Sequence, residues 1–264
     1  MLLSLCINVD TRKGFQEESS NAEHMFEGCR SEDFLIEGVI NKLNFFKGFD
    51  IETIVHVDEH EPLPVAILDR LRTMVDTLVV RKHTDEISFN DWTYLRTLRL
   101  ATGDIICHVD QDTACFTSGK EYVQELIDHL GAHRLVSYPS HWSPNPVHDD
   151  SFEGKFWAST RFFLCKRETL KLDELAKCIE DPEWMYEKYG DSPRRCNWTE
   201  HYIAKINGNS VFYPPVELHK GCIFSWSSYK RGVLGALNNI EYEAVKQWVL
   251  HRGGIQYPVD VKCD

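Results

Sequence analysis

Two aspartates stand one residue apart at the end of an apolar run, in the stretch A-T-G-D-I-I-C-H-V-D-Q-D-T-A-C-F of residues 101–116. Residues 104–109 have the length of a strand and follow a Thr-Gly turn signal, which predicts a buried strand. If the chain stays extended past this strand, Asp110 and Asp112 leave on the same side and Gln111 points away. Two carboxylates that converge on one point, completed by water and substrate phosphates, suit Mg²⁺ or Mn²⁺. The stretch therefore predicts a divalent-metal site at the end of a buried strand.

The elements that must position this site alternate between strands and helices. Strands are predicted over residues 2–9, 51–57, 77–80 and 104–109. Helices are predicted from a cap at Ser31 to Phe46, from Pro62 to Met74, and over 92–100 with Asn90 or Asp91 as the cap. Such alternation implies an α/β fold with a mostly parallel sheet and right-handed crossovers.

The acids of the first half fall where a parallel sheet binds its ligands. Open parallel sheets bind ligands outside the carboxyl ends of their strands. The acids at those ends are Asp10 after the first predicted strand, Asp58 after the second, and Asp110 and Asp112 after the fourth. We therefore expect the functional site at this edge of the sheet.

The second half of the chain is predicted to be less regular. Helices are expected over 118–130, 167–178, 199–206 with Thr199 as the cap, and 234–250, and strands over 134–138, 157–165 and 210–213. The chain shows neither an internal repeat nor a low-complexity linker. One continuous domain is therefore expected.

Composition limits the classes of protein to consider. The 264 residues are 42% hydrophobic, enough for one large α/β core, and the net charge of -12 disfavours sequence-independent nucleic-acid binding. Nine cysteines without a C-x-x-C pair indicate reduced thiols that fill the core. Residues 1–9 are too short for a signal segment, and no run of 18 apolar residues is present. We expect a cytoplasmic protein without a membrane span.

Two segments of the chain resemble the GT-A fold of nucleotide-sugar glycosyltransferases, most closely the family 2 type. Residues 101–113, A-T-G-D-I-I-C-H-V-D-Q-D-T, are similar to that family's A-x-G-D, apolar strand and D-x-D. Residues 198–219, W-T-E-H-Y-I-A-K-I-N-G-N-S-V-F-Y-P-P-V-E-L-H, resemble its segment of carboxylate, helix, glycine, strand, proline and final histidine. The likeness covers roughly Leu2 to His219. It implies a single GT-A domain over 1–264, with a nucleotide-sugar-binding half (1–115) and an acceptor-binding half (116–264).

The resemblance implies roles for the acids at the strand ends. Asp110 would face the ribose or the sugar, and Asp112 would bind a Mn²⁺ or Mg²⁺ ion that bridges the diphosphate. Asp10 and Asp58 would contact the base of the donor, and Gln111 would join the donor contacts. A nucleoside-diphosphate sugar is therefore the expected donor, with a UDP sugar favoured.

Two residues of the second segment complete the expected site. By position, Glu200 would be the catalytic carboxylate, and His219 would join Asp110 and Asp112 as a metal ligand. A carboxylate within hydrogen-bond reach of an acceptor hydroxyl can remove its proton during attack on the anomeric carbon. Glu200, between Trp198 and Tyr202, would thus serve an inverting hexosyl transfer.

Two other functions fit parts of the pattern. A sugar-1-phosphate nucleotidyltransferase on a related sheet would need a glycine-rich phosphate loop after the first strand, and D-T-R-K-G at residues 10–14 is a poor version. A non-catalytic relative that binds a nucleotide sugar or glycan would keep the fold and lose turnover. The acceptor stays open; a nucleic-acid acceptor is possible but disfavoured by the acidity of the chain.

Overall fold

The first half of the chain alternates between strands and helices. The computed structural model describes residues 1–10, 32–59, 62–82, 89–110, 113–115, 120–137, 158, 162–189, 203–208, 210–212 and 223–225. The elements of the first half are β1 (Leu3–Asp10), α1 (Glu32–Phe45), β2 (Ile51–Glu59), α2 (Val65–Met74), β3 (Thr77–Lys82), α3 (Phe89–Leu100) and β4 (Ile105–Asp110). The predicted order of strands and helices is confirmed.

Shorter elements follow β4. They are β5 (Thr113–Cys115), α4 (Lys120–His129), β6 (Leu135–Ser137), β7 (Phe162–Lys166), α5 (Leu172–Glu180), α6 (Pro182–Tyr189), β8 (Val211–Phe212) and β9 (Ile223–Ser225). Residues 203–206 are also helical, which agrees with the described part of the helix predicted over 199–206. The helix predicted over 234–250 lies outside the described residues.

Seven of these strands form one sheet in the order β3-β2-β1-β4-β7-β6-β8. Strands β1, β2, β3 and β4 run parallel to one another, and β6 runs parallel to β8. Strand β7 is antiparallel to both of its neighbours, β4 and β6. A separate antiparallel pair joins β5 to β9. The predicted α/β class, with a mostly parallel sheet flanked by helices, is confirmed.

Apolar residues cover both faces of the sheet because side chains alternate along each strand. On one face, Leu5 and Ile7 of β1 pack in a buried cluster with residues of α1, α2 and α4. On the other face, Cys6 lies in a second cluster with Leu95 and Leu98 of α3 and with residues of α5. The strands are thus buried between two helical layers, as expected for a parallel sheet.

A tight turn at the amino edge of the sheet joins α3 to β4. A Cβ atom on Gly103 would lie 2.7 Å from the carbonyl oxygen of Leu2 and 2.9 Å from the amide nitrogen of Ser4. The Glu52 carboxylate accepts hydrogen bonds from the Ser4 hydroxyl (2.6 Å) and from the Thr102 amide (2.9 Å). Partial burial opposes ionisation of Glu52, but hydrogen bonds from Ser4, Thr102 and Gly103 outweigh it and lower its pKa.

Three predicted helix boundaries are wrong. The helix predicted from Pro62 begins at Val65, with Pro64 at its N-cap position. Helix α3 begins at Phe89, so Asn90 and Asp91 lie in its first turn and neither is its cap. The helix predicted over 167–178 is broken into a 3₁₀ turn at Arg167–Thr169 and helix α5. The break falls at Lys171, whose φ of 48° is left-handed and whose ammonium donates a hydrogen bond to the carbonyl of Ile206 at 3.1 Å. A tertiary contact thus accompanies the interruption.

Helix α6 was not predicted, although its start signal is present in the sequence. Pro182 is its first residue, and the carboxylate of Asp181 accepts a hydrogen bond from the amide of Trp184 at 3.0 Å. An aspartate cap followed by proline is a typical helix start.

Within the part of the chain that the structure describes, no helix is both long enough and apolar enough to cross a bilayer.

Candidate active site at the carboxyl edge of the sheet

The strand register brings the predicted acids to one edge of the sheet. Asp10 of β1 is the partner position of Asp58 of β2. Asn8, two residues earlier in β1, is the partner position of Asp110 of β4. Because β1, β2 and β4 are parallel neighbours, these positions share the carboxyl edge. The sheet therefore places Asp10, Asp58 and Asp110 on adjacent strands, as the sequence predicted.

The order of the strands reverses at this edge. The chain proceeds from β1 to β2 and β3 on one side, then returns to place β4 on the other side of β1. Right-handed crossovers in opposite directions leave α1 and α3 on opposite faces of the sheet. The crevice between the carboxyl ends of β1 and β4 is a topological switch point, where open α/β sheets bind ligands. Asn8 and Asp110 flank this crevice.

Helix α3 holds the carboxylate of Asp110. The hydroxyl of Tyr94 donates a hydrogen bond to Asp110 Oδ1 at 3.2 Å. His108 Nε2 lies 4.0 Å from the same oxygen, in a side chain that is fully buried. The His108 ring stacks on Phe163 with a centroid distance of 5.4 Å and meets the Tyr94 ring edge-on at 4.8 Å. The carboxylate is therefore positioned by Tyr94 while 21% of its side chain stays exposed.

A second polar group links β1 and β2 to α3 below the crevice. The Thr97 hydroxyl donates a hydrogen bond to Asn8 Oδ1 at 2.7 Å and lies 3.0 Å from His56 Nδ1. Because a hydroxyl carries one proton, this arrangement makes His56 Nδ1 the donor to Thr97 and fixes the ring tautomer. The Nδ2 atom of Asn8 is buried and has no hydrogen-bond partner among the described residues. Asn8, at a position that flanks the crevice, thus has a buried donor without a partner in the described part of the chain.

Asp58, at the β2–β3 side of the edge, interacts electrostatically with Arg96 of α3 and is paired in the sheet with the position of Arg81. Asp58 is buried, and its partner position in β3 is Arg81. Partial burial, followed by the charge of Arg81, lowers the pKa of Arg96, and the Asp58 carboxylate opposes that shift. The edge therefore combines acids with cations on β3 and α3.

The remaining predicted site residues fall outside the described ranges. These are Gln111, Asp112, Glu200 and His219. Among the residues that are described, no three His, Cys, Asp or Glu side chains lie close enough together to hold a metal ion. The carboxylate of Asp110 is nevertheless a donor suited to Mg²⁺ or Mn²⁺, which usually bind through one or two carboxylates, waters and substrate phosphates. The donor chemistry of this edge fits such an ion.

Sequence reasoning missed the polar residues that support the acids. The signal was a repeated tripeptide at or near the strand ends: β1, β2 and β4 carry N-V-D, H-V-D and H-V-D at residues 8–10, 56–58 and 108–110. In each segment the residue two positions before the aspartate is polar. Tyr94 and Thr97 carry no comparable signal, because their contacts depend on how α3 packs on the sheet.

No protein-family model matches the chain, and no curated protein matches it by sequence. Solved structures do match it. A mannosyltransferase from Pyrobaculum calidifontis in complex with GDP-Man and Mn²⁺ is 14% identical, over 81% of this chain and 54% of that one, with a TM-score of 0.43. TarS 1-349 from S. aureus in complex with UDP is 13% identical, over 96% and 71% of the two chains, with a TM-score of 0.48.

A third matching structure is glucosyl-3-phosphoglycerate synthase from Mycobacterium tuberculosis in complex with Mn²⁺, UDP-glucose and phosphoglyceric acid. It is 13% identical, over 64% of this chain and 57% of that one, with a TM-score of 0.39. The chain thus spans somewhat over half the length of the mannosyltransferase and of the synthase. Because the identities are this low and the TM-scores lie below 0.5, these structures do not establish the activity of the chain, and its function is inferred from its own residues.

Proposed function

We propose that this chain is a metal-dependent glycosyltransferase of GT-A type, which moves a sugar from a nucleoside-diphosphate sugar to an acceptor hydroxyl. The observation that supports it most is the register at the carboxyl edge, where Asn8 of β1 is paired with Asp110 of β4 across the switch point. Acids at this place suit a charged nucleotide ligand that arrives with a divalent cation.

The donor half of the proposed site lies on the first four strands. Asp110 and Asp112 would hold Mn²⁺ or Mg²⁺, with His219 as a further ligand. When bound, the ion acts as a Lewis acid that stabilises negative charge on the departing diphosphate. Asp10 and Asp58 would contact the base of the donor, preferably a UDP sugar, Asp110 would face its ribose or sugar, and Gln111 would add a donor contact.

The acceptor half of the proposed site supplies the general base, the group that removes a proton from the acceptor. The acceptor oxygen forms its bond to the anomeric carbon while the bond from that carbon to the diphosphate oxygen breaks. Glu200 would take the proton of the acceptor hydroxyl, and attack from the side opposite the diphosphate gives inversion. Residues 203–206 are helical, and Ile203 and Ala204 are buried, which supports a Glu200 carboxylate near the start of a packed helix.

Product analysis tests the proposed reaction against its two rivals. The chain is incubated with Mn²⁺ and a panel of UDP, GDP and dTDP sugars. Slow release of the nucleoside diphosphate is expected, because water can replace the acceptor. A parallel incubation supplies a sugar 1-phosphate and a nucleoside triphosphate, and release of pyrophosphate there would instead indicate a nucleotidyltransferase. Donor binding without turnover would indicate a non-catalytic relative.

Matched variants connect any activity to the edge of the sheet. Asp112→Asn should lower turnover by at least about a hundredfold, because it removes a proposed metal ligand. Asp173→Asn is the control, since that side chain on α5 is fully exposed and belongs to no proposed site. Equal activity of Asp112→Asn and wild type would contradict the assignment.

A further inference from the structure

A lysine lies fully buried beside the segment that carries the two aspartates. Lys42 is in the last turn of α1, and its exposed fraction is 0%. Its neighbours on the helix, Val39, Phe45 and Phe46, are buried and apolar. Removing an ammonium group from water is costly unless hydrogen bonds compensate it. An apolar side chain of similar length would fill this space without that cost.

The ammonium of Lys42 donates hydrogen bonds both within its own helix and to a distant strand. It donates to the carbonyl of Gly38, one turn earlier in α1, at 3.2 Å. It also donates to the carbonyl of Thr113, the first residue of β5, at 2.6 Å. Thr113 is itself buried, and β5 is paired with β9 at the position of Ser225. The distant bond therefore ties α1 to the start of the small sheet.

This bond fixes one end of a very short span. Asp110 is held in the main sheet by its pairing with Asn8 and by the hydrogen bond from Tyr94. Thr113 follows Asp112 directly, so only residues 111 and 112 separate the two fixed ends. An extended chain advances about 3.3 Å per residue, so two residues between fixed ends can cover only a short distance. The hydrogen bond from Lys42 to the Thr113 carbonyl thus holds the end of this span that follows Asp112.

We propose that Lys42 is a positioning residue for the D-x-D segment: its ammonium anchors the Thr113 carbonyl, directly after the proposed metal ligand Asp112. The inference rests on the proposed function, because it gives Lys42 its role through the metal ligand Asp112. It accounts for a buried charge in an otherwise apolar helix face.

The test compares the 264-residue wild type with Lys42→Met, Lys42→Gln, Asp112→Asn and the control Val39→Ala. Calorimetric titration measures Mn²⁺ affinity in the presence of UDP, and hydrogen exchange measures protection of amides 110–115. Lys42→Met should weaken Mn²⁺ binding about 10- to 100-fold, as losses of outer-shell partners do, and should speed exchange in this segment. Val39→Ala opens a cavity in the same helix but keeps the bond to Thr113, so both readouts should stay near wild type.

The variants separate failure of this inference from failure of the proposed function. Lys42→Gln keeps a polar donor but is one bond shorter, and it takes the place of Lys42→Met if the latter does not fold. If the Lys42 variant kept the Mn²⁺ affinity and the hydrogen exchange of the wild type while Asp112→Asn bound Mn²⁺ weakly, only the role of Lys42 would be overturned. Wild-type affinity in Asp112→Asn would overturn the metal site and the role of Lys42 together.

Discussion

Each acid at the candidate site follows a valine and a polar residue in its strand. The valines, Val9, Val57 and Val109, are buried in one apolar cluster of the sheet. By alternation, Asp58 and Asp110 share the opposite face with the polar residue two positions before each of them, and α3 covers this face. Tyr94 and Thr97 of α3 bond to this face, one to Asp110 and the other to Asn8. Helix α3 thereby forms a hydrogen-bonded support under the acids.

Replacing Tyr94 with phenylalanine tests this support at a single atom. The variant removes the hydroxyl that donates to Asp110 Oδ1 and keeps the ring that meets His108. A hydrogen bond to a charged group contributes about 1.5–3 kcal/mol, and partial exposure of Asp110 favours the lower end. We expect Mn²⁺ binding in the presence of UDP to weaken about tenfold, measured by calorimetric titration.

Thermal unfolding provides the control for Tyr94→Phe. The ring still packs, so the midpoint should fall by no more than a few degrees. Unchanged Mn²⁺ affinity in a folded variant would show that Tyr94 does not position the metal-binding carboxylate.

At the residue scale, the sequence predicts the acids but not the side chains of α3 that form hydrogen bonds beneath them. Asp58 and Asp110 end apolar strands, and that local pattern sufficed to select them. Tyr94 and Thr97 reach the site only through the rotation of α3 about its axis, which packing against the sheet decides. The predicted start of α3 was also three residues late. A donor from a neighbouring helix therefore could not be assigned from spacing alone.

At the scale of elements, the turn between α3 and β4 sets where the central strand begins. The backbone of Leu2 and Ser4 passes so close to Gly103 that a side chain cannot fit. Ser4 and Thr102 also bond to Glu52, so β1, β2 and the turn meet at one point. The register of β4 against β1 depends on this contact.

Gly103→Ala should therefore destabilise the whole sheet. The added Cβ would have to displace strand backbone, and overpacking of this kind costs about 3 kcal/mol. Gly208→Ala is the control: its φ of +67° is strained for alanine, but nothing lies within 4 Å of the added atom. That strain alone costs about 1 kcal/mol. Urea unfolding should rank the two variants in this order, and an equal or smaller loss in Gly103→Ala would contradict the close approach.

Elements that depend on distant contacts escaped prediction from the sequence. Strands β5 and β9 are three residues each and pair with one another across more than a hundred residues of chain. A three-residue strand is too short to show a periodic pattern. Lys171, in contrast, lies within a good helical pattern, and its left-handed conformation is not encoded by its type. Long amphipathic helices and buried strands were the predictable part.

At the scale of the whole molecule, strand order creates the site. Alternation of strands and helices predicted a parallel sheet but not the order β3-β2-β1-β4 or the insertion of antiparallel β7 between β4 and β6. Those pairings are long-range choices among several topologies that share the same local pattern. The switch point between β1 and β4 is therefore a property of the assembled sheet.

Four buried thiols allow cooperativity across this sheet to be measured. Cys107 lies in the apolar cluster on one face, whereas Cys6, Cys165 and Cys178 lie in the cluster on the other. All four are free cysteines. Burial raises the pKa of Cys165 to about 12, and burial also raises the pKa of Cys6. Alkylation requires the thiolate, so the native thiols should react very slowly at pH 8.

Pulse alkylation in increasing urea, read by peptide mass spectrometry, should therefore show these four thiols becoming reactive at one common midpoint. Both helical layers pack on the same strands, so loss of one layer weakens the sheet on which the other layer packs. Circular dichroism supplies the global midpoint for comparison. If Cys107 became reactive at clearly lower urea than Cys6 and Cys165, the two faces would unfold separately, and the sheet would not be one cooperative core.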